Sequence, residues 1–157
     1  MLVPLVALLV VGAADAGPPP PAGGAVPLPL AAFKDGFRTC SRPLPEGMKG
    51  FWEVPARQVA ELDRVLLVHL VRSDLSKALA LPRAAYQRQY LGFARGARKL
   101  IYVNAFPAAR GGQRARTHFV RFCDGGSLFW AIEYDVKARA FGDFTMNSAG
   151  GDPIEAM

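Results

Sequence analysis

Residues 86–106 read YQRQYLGFARGARKLIYVNAF. Two short runs rich in aromatic and branched side chains, "YQRQYLGF" (86–93) and "KLIYVNAF" (99–106), flank a Gly-containing break, the pattern of paired strands rather than of a helix. Three further runs continue it toward the C-terminus: "THFVRFC" (117–123), "SLFWAIEY" (127–134) and "AFGDFTMN" (140–147), each bounded by Gly, Pro or Asp. Short connections between successive strands force antiparallel pairing. The spacing therefore predicts a meander of four to five antiparallel strands, to which "FKDGFRTC" (33–40) would add an edge.

A meander needs an apolar layer on at least one face, and the residues before Tyr86 supply it. From Pro55, a residue tolerated at a helix start, Val59, Leu62, Leu66 and Leu70 fall on one stripe at 100° per residue. Leu67 and His69 sit at its margins, and Arg57, Glu61, Arg64 and Arg72 lie mostly away from it. One amphipathic helix over 55–71 follows. "SDLSKALA" (73–80) either prolongs it or forms a second short helix capped by Ser73, and Pro82 ends either version. The fold class is α+β, with one main N-terminal helix packed on a curled antiparallel sheet.

Residues 1–16, MLVPLVALLVVGAADA, read as a signal peptide: an apolar run from Leu2 to Val11 and small residues before a cleavage site at Gly17. The run is too short to span a bilayer as a helix, which takes about 20 apolar residues. Residues 17–30, GPPPPAGGAVPLPL, read as a proline-rich tether, which leaves 31–157 as a single domain. A secreted or periplasmic protein is expected. The formal net charge is +6, and losing Asp15 with the leader raises it by one. Outside the cytoplasm such a charge favours an anionic surface or an acidic protein partner, and nucleic acid is not expected.

The order of one helix followed by a strand meander resembles the cystatin-like and NTF2-like group of folds. "YQRQYLGF", "IYVNAF" and "CDGGSLFWAIEYD" together resemble a set of small secreted bacterial proteins of uncharacterised function. That likeness covers residues 86–135 and implies a domain type without an activity. Cystatins carry a Gln-x-Val-x-Gly loop and a Pro-Trp hairpin. Here "QYLGF" lies inside a predicted strand and no Pro precedes Trp130, so protease inhibition is not implied.

Two cysteines, Cys40 and Cys123, are present. In an oxidising compartment an even count reads first as a disulfide, with two free buried thiols next and catalysis or metal binding last. Closing so long a loop would restrict the unfolded chain by about 4–5 kcal/mol in the entropy model. A thiol enzyme would need a base beside Cys123. In a strand over 117–123, His118 points to the opposite face and lies about 16 Å away along the chain. His69 is on the helix margin, and two histidines with no Cys/His spacing make no recognisable metal site. No cofactor is implied.

The Asp-Gly-Gly turn at 124–126 would pair the flanking runs so that Phe119, Leu128, Trp130 and Ile132 face the helix. His118 would then lie opposite Glu133 on the outer face, as an ion pair or an acid–base pair. Candidate binding residues follow from this picture: Arg110, Arg114 and Arg116 on the loop 107–116, Arg95, Arg98 and Lys99 at the first hairpin, and Phe122 and Phe129 as an outer apolar patch. The expected function is a non-enzymatic binding or accessory domain. The alternative is a small NTF2-like enzyme or pocket protein lined by Tyr86, Tyr90, Tyr102, Asn104, His118 and Glu133.

Overall fold

A computed structural model of the chain describes residues 24–33 and 39–149. The leader read at 1–16, the first part of the tether and most of "FKDGFRTC" lie outside the described residues. Among those described, the class is α+β, with one α-helix and one mixed sheet of six strands. In chain order the elements are β1 (Ala25–Pro27), β2 (Lys49–Trp52), α1 (Ala56–Arg72), β3 (Tyr86–Arg95), β4 (Arg98–Pro107), β5 (Trp130–Asp135) and β6 (Ala140–Met146). No helix among the described residues is long and apolar enough to cross a membrane.

Helix α1 starts one residue later than expected, with Pro55 as its N-cap, and its stripe Val59, Leu62, Leu66 and Leu70 is buried. Fully burying such a side chain stabilises by about 1.5–3 kcal/mol, so this stripe holds the helix to the sheet. Ser73 does not open a second helix. Its hydroxyl donates to His69 O at 2.7 Å, finishing α1, and only a 3-10 turn at Leu75–Ala78 follows.

The hairpin β3–β4 is the spine of the sheet, paired residue by residue from Tyr86 with Pro107 to Arg95 with Arg98. β5 pairs with β4 and β6 with β5, all antiparallel. The sheet is nonetheless mixed. β1 lies parallel to β3, Ala25 against Arg88 and Pro27 against Tyr90. β2 runs antiparallel along the next stretch of the same edge, Trp52 against Gly92. The parallel pair arises because the chain leaves β1, passes through α1 and returns to β3 from the same end, as a crossover requires. Pro27, within the stretch read as tether, lacks a backbone donor and is tolerated because β1 is an edge strand. Leu28, next to it, is buried.

The run 117–123 forms no strand. Its composition favours strands, but β4 already has β3 on one side and β5 on the other, and β-propensity yields to available partners. Thr117 N and His118 N donate to Arg114 O instead, and His118 O, Val120 N, Val120 O and Phe122 O are taken by the side chains of Gln89, Asn104 and Asn147. The turn behind it does need glycine, with φ of +101° at Gly125 and +51° at Gly126, but it leads into a 3-10 turn at Gly126–Leu128 rather than closing a hairpin. Trp130 and Ile132 do face the helix, in one core with Tyr86, Tyr90, Ile101 and Val103. Phe119 packs on the other side of the sheet, near Leu91, Phe93 and Tyr102, and Leu128 joins a third cluster around Phe106 and Phe129. His118 and Glu133 are therefore not cross-strand neighbours.

Candidate functional site

The face of the sheet away from α1 is covered by irregular chain, the loop 108–129 and the strap 39–48. The loop is fastened from below by two side chains of the spine. Gln89, fully buried in β3, donates through Nε2 to Ala115 O and His118 O, both at 2.7 Å. Its Oε1 accepts from Val120 N and Asn104 Nδ2, both at 3.0 Å. Asn104, the cross-strand neighbour of Gln89 in β4, also donates to Val120 O at 2.9 Å and accepts from Arg42 Nη2. A primary amide offers two donors and two acceptor sites, and Gln89 uses all four. A buried network so fully satisfied rigidifies what it holds. Near the start of the loop, a Cβ on Gly111 would lie 2.8 Å from the Phe106 ring.

Arg110, Arg114 and Arg116 are all exposed on this fastened loop. Ala115 between the last two is buried with Phe106 and Phe129. Among the described residues none of the three arginines has an acidic partner. The other basic candidates are differently placed. Arg95, Arg98 and Lys99 sit at the turn end of the spine, six residues or about 20 Å of strand beyond Gln89, to which the loop is fastened. They are also engaged: Arg98 with Asp135 at 2.7 Å, Arg95 with Glu133 at 2.8 Å, and Lys99 over the Trp52 ring at 5.5 Å. The basic candidates thus form two separate groups. Phe122 and Phe129 are not an outer patch, since Phe129 is buried and Phe122 is half-buried with its ring centroid 4.3 Å from that of Phe129.

The alternative pocket residues are divided by the sheet. Tyr86 and Tyr90 belong to the helix-side core. The Tyr86 hydroxyl donates to Ser127 O at 3.1 Å. Tyr90 donates to Asp63 of α1 at 2.6 Å, and burial together with the Asp63 charge raises its hydroxyl well above the usual tyrosine range. Asp63 also receives the Arg88 fork, Nε at 2.5 Å and Nη2 at 3.1 Å. This clasp between helix and spine was not anticipated from sequence. Its only signal is an arginine at a strand position flanked by two core tyrosines.

Tyr102, Asn104 and Glu133 lie on the opposite face, and His118 is exposed with its Nδ1 2.9 Å from Thr117 Oγ1. Tyr102 and Glu133 line an open cleft of about 480 Å³, walled on one side by Leu44 and Glu46 of the strap. Arg95 spans it, donating to Glu133 Oε1 and, through Nε, to Glu46 O at 2.8 Å, with Asp143 at 3.7 Å. Burial pushes the Glu133 carboxyl above its ordinary range, against the opposing pull of Arg95. No histidine lines this cleft, and no cluster of metal-ligating side chains occurs among the described residues.

Cys40 and Cys123 form a disulfide, Cα to Cα 4.6 Å. The sulfur beside the Asp-Gly-Gly turn is thus one half of a crosslink that clips the strap to the loop. Comparison with known protein families, with curated proteins and with solved structures gave no match to this chain.

Proposed function

We propose that the chain is a secreted or periplasmic binding domain, without catalytic activity of its own, that docks on an anionic surface through Arg110, Arg114 and Arg116. One observation carries the reading: three exposed arginines, without acidic partners among the described residues, stand on a loop fastened to the sheet by buried amides. Ordering a free loop at the moment of binding costs affinity, and a loop ordered beforehand avoids that cost. Guanidinium groups suit such a role because they grip carboxylate, sulfate and phosphate oxygens in pairs. The disulfide and the apolar run at 2–11 support an extracytoplasmic setting. The filling of the helix side of the sheet by Tyr86, Tyr90 and Trp130 favours a cystatin-like over an NTF2-like reading of the topology, because the latter needs that space for a pocket.

The test compares wild type with R110A/R114A/R116A for retention on heparin resin and for binding to vesicles containing phosphatidylglycerol. At about 1 kcal/mol per arginine at an anionic surface, the triple variant should bind on the order of 100-fold more weakly. Replacing Arg98 and Lys99 at the far end should change little. Equal binding by wild type and triple variant on both supports would refute the proposal.

A further inference from the structure

The disulfide joins two chain segments that are held very unequally. Both half-cystines are exposed. On the Cys123 side neutral amides do the holding: Asn147 Nδ2 donates to Phe122 O at 2.8 Å and Asp124 O at 3.2 Å, and Val120 is fixed by Gln89 and Asn104. On the Cys40 side Ser148 Oγ donates to Ser41 O at 3.0 Å, and among the described residues the one buried anchor is Arg42. Its guanidinium is buried, the residue only 6% exposed. Nε donates to the Tyr102 hydroxyl at 3.0 Å and Nη2 to Asn104 Oδ1. Among the described residues Nη1 has no hydrogen-bond partner, nor has the buried Oγ of neighbouring Ser41. Among the described residues no carboxylate pairs with Arg42.

A cation withdrawn from water and met only by neutral acceptors carries a desolvation cost that those acceptors do not fully offset. A covalent bond two residues away keeps it there. Remove the bond and the docked strap loses its tether while Arg42 regains hydration by leaving. Residues 43–46 of the same strap form one wall of the Tyr102–Glu133 cleft, and the bond from Arg95 Nε to Glu46 O leaves a pivot at the far end.

We propose that Cys40–Cys123 is a redox-responsive site at which an external dithiol releases the strap, carries Arg42 into water and opens the cleft beneath it. A thiolate of the dithiol attacks one exposed sulfur, forming a mixed disulfide and expelling the other cysteine as a thiolate that takes up a proton. The second thiol of the reagent then displaces the protein sulfur and closes a cyclic disulfide. Two electrons and two protons have passed to Cys40 and Cys123, which end as thiols.

The Arg42 Nε–H signal in a nitrogen-15 NMR spectrum reports the strap directly. In the oxidised protein it should exchange slowly with water. With dithiothreitol, and equally in C40A/C123A without reagent, its exchange should accelerate by at least about tenfold while the amide shifts of α1 hold. An Arg42 signal as protected after reduction as before would overturn the proposal. So would loss of the α1 amides together with it, because the bond would then be a staple of the whole domain and not a local latch.

Discussion

Gln89→Leu keeps the apolar stem of the side chain and removes all four of its polar contacts. Two of the groups left behind are themselves deeply buried, the carbonyl of Ala115 and one N–H of the Asn104 amide, whose other N–H keeps Val120 O. The other two, His118 O and Val120 N, belong to less buried residues and regain water. At about 1–3 kcal/mol for each buried group stranded without a partner, the substitution should cost about 4 kcal/mol. For a domain of about 120 residues that is a fall in melting temperature of roughly 15 °C. Differential scanning calorimetry measures the fall. Hydrogen exchange should show 108–120 losing protection before β3 or β4. The same change should weaken anion binding although Gln89 is remote from Arg110, Arg114 and Arg116, because the loop is then no longer ordered in advance. A melting temperature within 3 °C of wild type, or a destabilised variant whose loop opens only together with the sheet, would refute the reasoning.

Leu66→Ala, at the centre of the buried helix stripe, should cost about 3 kcal/mol in urea unfolding, whereas Val65→Ala on the exposed face should stay within about 0.5 kcal/mol. Burial holds the His69 imidazole below its ordinary 6.5, with its ring 4.7 Å from that of Phe141. The folded state therefore disfavours the cation, so this group's contribution to stability is present above pH 6.5 and is lost as the pH falls below it. An NMR titration should place the His69 midpoint under 6.5, and His69→Phe should flatten that part of the stability profile.

Much of the fold was legible because periodicity is a local property. The stripe Val59, Leu62, Leu66 and Leu70 names its own buried face at any orientation of the helix. Four of the five predicted strands match β3, β4, β5 and β6, since alternation and Gly breaks are read within a few residues. The fifth fails for a reason no window contains. Residues 117–123 have strand composition, but whether a strand forms depends on a free edge, and both edges of β4 are taken. The parallel β1 escaped notice because three residues among prolines carry no period, and only the crossover through α1 brings them to β3.

The site divides the same way. Composition and the expected compartment put a disulfide first among the readings of the two cysteines, which the structure bears out, and the sequence alone placed arginines on the loop 107–116. Only the tertiary structure decided that these arginines stand apart from Arg95, Arg98 and Lys99, that Phe129 is buried beneath them, and that Gln89 and Asn104 fasten the loop. Those facts follow from which face of the sheet a residue occupies and what crosses that face. Contacts between residues distant in the chain are set by how the layers close over one another, which the order of residues does not spell out locally.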